Sequence, residues 1–544
     1  MLNFFSYNDW ILHSLVWIPI VGMVHVLWSP EERAKYLALG WSTVVLVLSL
    51  GLWWAYDPAI NIGGYQLSSS HSWIRQWGAS YSLGIDGISI FLVLLTTLTT
   101  PIAILGSFNY ITKKEKSFYA LMLLLEFGVI GVFTALDLFL FYVFFEMTLI
   151  PMYFIVGIWG GERRIYAAVK FFLYTAFGSL LMLVAILYLY LRAKTLTGVP
   201  SFAFIDLFQI SLSPTEQIWL FSAFALAFAI KVPIFPFHTW LPDAHVEAPT
   251  PGSVVLAAVL LKMGTYGFVR FLLPLFPVAS QHPTVVMIMM TLGVVGIIYA
   301  AWVAAVQPDA KKLVAYTSVA HMGFVVIGIF ALNINGLQGG MLVMISHGIS
   351  TGTLFLLLGM LYERRHTREI EDFGGLSLVA PWLATAFVIT ALASIGLPGT
   401  SGFVGEFLAL LGAFESHPVI GGLATTGVIF AAYYMLPMVQ RIHFNPLDKD
   451  KNSKIQDLSR REIIILAPMI SLMIWIGVYP TPFLERMEPS VKAIIENVEA
   501  STSLNDSEDN KYEIISSVPE LIIHTSNIDD NKIADHLNSD ETVN

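Results

Sequence analysis

The chain has 544 residues, 56% hydrophobic and only 12% charged, with a mean hydropathy of +0.70. That balance excludes an ordinary soluble globular protein and fits a chain that crosses a membrane many times. The absence of cysteine excludes disulfides, thiolate metal sites and cysteine nucleophiles. The net charge of −10 resides in residues 485–544, whose 14 Asp/Glu and 4 Lys/Arg leave the remainder neutral.

In chain order, the first apolar run, Trp10–Trp28, lacks a basic flank and a small-residue cleavage site, so it reads as a retained helix rather than a signal peptide. Runs of spanning length follow near 36–55, 83–106, 118–136, 137–159, 166–190, 217–246, 252–272, 284–305, 313–332, 337–361, 381–414, 420–440 and 462–480. Together they predict an all-α polytopic protein of about 14 spans. Every second loop is basic: Arg33 and Lys35; Lys113, Lys114 and Lys116; Arg163 and Arg164; Lys311 and Lys312; Arg364, Arg365 and Arg368; and Arg441 to Arg461. The intervening loops hold only Arg75, Arg192, Lys194 and Arg270. The basic loops are expected in the cytoplasm, with both termini on the opposite face.

Two spans are too long and are broken. The seventh, 217–246, is interrupted by Pro233 and Pro236; the twelfth, 381–414, by Gly396–Gly402 (GLPGTSG). Their odd offset of five implies opposite directions, as in an inverted repeat of spans 4–8 and 9–13. The expected division is therefore 1–117 (spans 1–3), 118–272 (first repeat), 273–441 (second repeat) and 442–484 (last loop and span). An acidic tail, 485–544, would be disordered after a short amphipathic segment, Met487–Val498.

Ionisable residues inside apolar spans are costly and usually functional. Glu146 lies ten residues into its span and must be paired or protonated; Lys231, beside the first break, is its expected partner. Lys262 falls at the centre of an uninterrupted span, too deep to snorkel, where a lone ammonium exchanges its proton readily. Lys170, one turn inside a helix end, fits snorkelling as well as a relay. Glu406 follows the second break, as an acidic counterpart to Lys231. His321 and His347, on adjacent spans, suggest a relay between Lys262 and Glu406. His238, His245, Asp243 and Glu247 follow the first break, where they fit either a proton inlet or a polar helix-end turn. His238 and His245 have no third ligand nearby, so no metal site is expected, and no nucleotide, haem or iron–sulfur motif is present.

The strings FFEMTLIPMYFIVGIWGGERRIYAAVKFFLYT, IKVPIFPFHTWLPDAHVEAPTPGSVVLAAVLLKMGTYG, QPDAKKLVAYTSVAHMGF and GLPGTSGFVGEF, in order across 136–414, resemble the antiporter-like subunit M (chain 4) family of respiratory complex I. The glutamate of GFVGEF, Glu406, favours that family over Mrp-type Na⁺/H⁺ antiporter chains, the alternative, which more often carry lysine there. The resemblance implies proton translocation coupled to quinone reduction elsewhere in a large hetero-oligomeric complex. It implies no cofactor in this chain. NAD(P)H or ferredoxin, FMN, iron–sulfur clusters and quinone would belong to partner subunits; lipid would surround the chain, and no nucleic acid is expected. Glu146 and Lys231 would be the paired switch, Lys262 the central site, His321 and His347 part of a hydrated axis, and Glu406 the exit-side group. The long acidic tail departs from the family pattern.

Overall fold

The computed structural model describes residues 7–60 and 64–505. Among these, twelve helices are long and apolar enough to cross a membrane. They are α1 (Tyr7–Trp28), α2 (Glu31–Ala55), α3 (Ser89–Gly106), α4 (Glu115–Thr134), α5 (Leu138–Trp159), α6 (Arg164–Thr197), α9 (Thr250–Leu275), α10 (Pro283–Ala305), α11 (Ala310–Phe330), α12 (Ile334–Arg365), α15 (Pro418–Phe444) and α16 (Arg460–Val478). The two broken segments supply α7 (Pro214–Lys231) with α8 (Trp240–Glu247), and α13 (Pro381–Ile395) with α14 (Ser401–Ser416). Side chains fix several starts. Asp137 accepts from the amides of Phe139 and Leu140 to begin α5, and Ser213 with Glu216 forms a capping box on α7.

One element departs from the helical expectation. Gln66–Ile74 (β1) and Ala79–Ile85 (β2) form an antiparallel hairpin, so the third span begins at Ser89 rather than near 83. Its short polar alternation, SSSHS, was hidden between two longer apolar runs. The C-terminal amphipathic segment is also longer than expected: α17 runs Thr481–Asn505 and buries Phe483, Met487, Val491, Ile494 and Val498, a one-sided helical stripe. The expected disorder of the acidic tail falls beyond residue 505, outside the described residues.

Helices α9, α11 and α12 form the centre and are almost wholly buried. Outer helices keep apolar faces exposed, as on α6 at Leu173, Phe177, Leu180 and Val184, the pattern of a surface turned to lipid rather than water. Close approach at the centre depends on glycine. A Cβ on Gly339 of α12 would stand 2.2 Å from the Ala409 amide nitrogen of α14, and one on Gly412 would stand 2.2 Å from the Gly336 nitrogen. With little hydrophobic drive between helices inside a bilayer, such small-residue contacts let backbones pack directly. They bring α14 against the histidine-bearing helices.

Candidate functional site

The site begins with the two breaks. Pro233 and Pro236 cannot donate to a helical ladder, so α7 ends at Lys231. The freed Ile230 carbonyl is taken by the buried Trp240 indole N–H at 2.8 Å, and the Ile234 amide reaches the Ala229 carbonyl at 2.8 Å. Lys231 thereby sits at a helix C-terminus, whose partial negative charge favours an ammonium. At the second break Gly396 and Gly399 adopt φ of +81° and +89°, a region open mainly to glycine, and the chain re-enters a helix that carries Glu406.

The structure corrects the expected Glu146–Lys231 ion pair. Lys231 is buried, but its Nζ has no hydrogen-bond partner among the described residues; it lies 5.1 Å from the Phe145 ring centre and 5.7 Å from that of Phe171. The ammonium is held against aromatic faces instead of the carboxylate. Glu146 is half-buried and its Oε1 is likewise unpartnered. The two groups remain within electrostatic reach of each other.

Lys262 also differs from expectation, being neither alone nor in a regular helix. Two π-helical stretches, Leu256–Leu260 and Phe268–Leu272, flank it within α9. Such widened turns loosen the backbone ladder. The Lys262 Nζ donates to the Ala257 carbonyl at 2.5 Å and lies 2.7 Å from His347 Nδ1. The His347 and His321 rings are 5.5 Å apart, centre to centre. His321 Nε2 stands 3.5 Å from Glu406 Oε1 and 2.8 Å from the Ser394 carbonyl, while Nδ1 faces the Thr317 carbonyl at 2.7 Å. Both His321 nitrogens thus meet acceptors, and only an imidazolium can donate to both. Lys262, His347, His321 and Glu406 form one buried line across α9, α12, α11 and α14, with a gap between the two imidazoles, where His347 Nε2 has no hydrogen-bond partner among the described residues.

Other predicted positions lie to one side of that line. Lys170 pairs with Asp243 at 2.7 Å, joining α6 to α8. His238 packs on Phe235 and against Tyr299. His245 is fully buried, stacked 4.5 Å from Phe355, and both its ring nitrogens lack hydrogen-bond partners among the described residues. It lies within electrostatic reach of Lys262 and Lys311. Lys311, grouped by sequence with loop bases, is buried and donates to the Ala248 carbonyl at 2.5 Å. Arg270, also read as a loop base, is buried and pairs with Asp86 at 2.5 Å. Glu126, which the sequence reading leaves out, is buried with both carboxyl oxygens lacking hydrogen-bond partners among the described residues, although its apolar flanks (LMLLLEFGVIGV) carry the same signal as those of Glu146. No group of three His, Cys, Asp or Glu side chains able to hold a metal occurs among the described residues.

Residues 135–432 match the family model described as "NADH:quinone oxidoreductase/Mrp antiporter, TM". NADH-quinone oxidoreductase subunit M of Rhodobacter capsulatus is 47% identical over 479 residues, covering 87% of this chain and 92% of that protein. NADH-ubiquinone oxidoreductase chain 4 of Chondrus crispus is 44% identical, with coverages of 91% and 99%. Among solved structures, a chain of respiratory complex I from Thermus thermophilus superposes with a TM-score of 0.81 at 35% identity, covering 90% of this chain and 99% of that one. A chain of the Mrp complex from Dietzia shares the fold at 22% identity and a TM-score of 0.76, covering 91% of this chain and 52% of that one.

Proposed function

The chain belongs to the NADH:quinone oxidoreductase/Mrp antiporter family of membrane subunits, among the subunit M and chain 4 proteins, and on that premise we propose that its buried line carries protons across the membrane. In this reading the protein is one membrane-arm subunit of a proton-pumping quinone reductase. Electrons pass from NADH through flavin and iron–sulfur centres to quinone in partner subunits, and the redox step is felt here only as a change of charge or conformation. The basic loops face the cytoplasm and both termini the opposite side.

Protons enter past Lys170–Asp243 and His245 and load Lys262. They pass to His347 and His321 and leave by Glu406. Residues 118–272 and 273–441 act as two inverted halves, each contributing one broken helix. Glu146 and Lys231 set the load on Lys262. When Lys231 leaves its aromatic seat for Glu146, the pair neutralises itself and Lys262 more readily holds a charge; when they separate, the positive Lys231 opposes it. The observation supporting the reading is the buried Lys262–His347–His321–Glu406 line, with polar contacts at its two ends and a 5.5 Å ring contact between the histidines. Its central members are nitrogen groups, suited to protons, whereas a hard alkali cation calls for oxygen ligands.

The test is Glu146→Gln in the whole complex reconstituted in vesicles. We expect an assembled complex whose NADH-driven proton uptake is severely cut. Full proton stoichiometry in that variant would sink the assignment.

A further inference from the structure

A proton on Lys262 sits in a helix that runs on towards the face opposite the basic loops, and something must prevent it from leaving along that helix. The relevant residues lie eight positions further on, about 12 Å at the helical rise of 1.5 Å per residue. There Arg270 is buried within the second π-helical stretch. Its Nη2 pairs with Asp86 at 2.5 Å, its Nε lies 3.1 Å from the Tyr266 hydroxyl, and its Nη1 lies 3.3 Å from the Tyr65 hydroxyl. The guanidinium also lies over both tyrosine rings, 5.1 Å from the centre of Tyr65 and 5.3 Å from that of Tyr266. Asp86 is itself fixed, its Oδ1 accepting from the amides of Ile88 and Ser89. Tyr266 in turn donates to the Phe133 carbonyl at 3.3 Å, tying α9 to α4.

We propose that Asp86–Arg270, with Tyr65 and Tyr266, is a proton plug that closes the far end of α9 and so makes the lateral histidine line the only way out of Lys262. A guanidinium suits this task because it cannot give up its proton in a protein, so no proton can be handed through it. Its fixed positive charge in a low-dielectric setting also repels a second one, the principle by which an arginine in a water pore excludes protons. Asp86 neutralises enough of that charge for the site to exist within the membrane without making it a proton carrier. Arg270 and Asp86 are positioning residues here, because neither lies on the Lys262–Glu406 line. The proposal rests on the function put forward above.

The experiment uses the whole complex in proteoliposomes, with two readouts: collapse of an imposed pH gradient without substrate, and protons moved per NADH oxidised. Arg270→Gln is expected to speed the passive collapse several-fold and to lower the proton ratio while NADH oxidation continues. Arg270→Lys, whose charge can be lost, should be tight in acid and leak increasingly as pH rises; the titratable groups that face it are Asp86, Tyr65 and Tyr266, with Tyr56 also within electrostatic reach. A merely structural role would not produce that pH profile. The neutral double variant Asp86→Asn/Arg270→Gln avoids stranding a buried charge, and it too should leak. Parent-like tightness in that double variant, or a pH-independent Arg270→Lys, overturns the plug. Lys262→Met separates the two claims. Loss of pumping in Lys262→Met with tight Arg270 variants removes only the plug, whereas full pumping in Lys262→Met removes the function it rests on.

Discussion

Replacing His347 tests the line at its best-defined contact. His347→Leu deletes the Nδ1 that lies 2.7 Å from Lys262 Nζ and leaves the lysine with the Ala257 carbonyl alone. A hydrogen bond to a charged group is worth about 1.5–3 kcal/mol. At 1.36 kcal/mol per decade, Lys262 should hold its present position about 13- to 160-fold less often, and a transfer step that requires that position should slow by at least the same factor. The assay is proton uptake per NADH oxidised in proteoliposomes, with assembly checked by native gel. His347→Gln discriminates further: its amide oxygen can accept from Lys262, but an amide cannot relay a proton. Equal loss in both variants indicates a relay, while recovery in His347→Gln indicates that His347 only positions Lys262. Unchanged proton stoichiometry in His347→Leu, in an assembled and active complex, would refute the reasoning.

Two other perturbations probe the scaffold. Trp240→Phe strands the buried Ile230 carbonyl at the first break and should cost about 1–3 kcal/mol, read as a lowered thermal midpoint of the purified complex. An unchanged midpoint would mean that this carbonyl finds another donor. Gly339→Ala places a methyl 2.2 Å from the Ala409 amide nitrogen, overpacking expected to cost about 1–3 kcal/mol and to push α12 from α14. Because the chain has no cysteine, a Ser346→Cys/Ser401→Cys pair reports that spacing cleanly. Their hydroxyls are 2.8 Å apart, so oxidation should cross-link the pair, and Gly339→Ala should reduce the yield.

Hydropathy made the membrane-spanning helices legible because each must bury its own backbone polar groups, which imposes a long apolar run. The breaks were legible because proline and glycine act through local backbone geometry alone. Which polar groups meet was much less so. Lys231 and Glu146 looked complementary by charge, yet the aromatic rings of Phe145 and Phe171 hold the ammonium, and rings scattered through apolar runs carry no mark of that role. Lys262 looked isolated because His347 is 85 residues away and π-helical turns leave no signature in composition. Arg270 and Lys311 looked like loop bases because each stands near the end of its span; their partners come from distant segments, Asp86 and Tyr65 for Arg270 and the Ala248 carbonyl just after α8 for Lys311. Glu126 was legible in principle, since its flanks are as apolar as those of Glu146.

The two breaks are alike in backbone logic but opposite in chemistry, and that difference bears on direction. At the first, the break ends a helix on an amine with no hydrogen-bond acceptor among the described residues, seated among rings. At the second, it begins a helix whose carboxylate stands 3.5 Å from a histidine with acceptors at both nitrogens. In the proposed function, such a positive group would be drawn to an acid and back, so the first break would be the part that changes. A carboxyl group beside His321 would, in the same proposed function, accept a proton passed along the line, so the second break would be the one that receives. Were both breaks to carry lysine, a proton leaving Lys262 would approach another fixed cation. In the proposed function, the acid at 406 would instead give the Lys262–His347–His321 line a downhill end, so the chemical difference between the two breaks would favour movement from Lys262 towards Glu406.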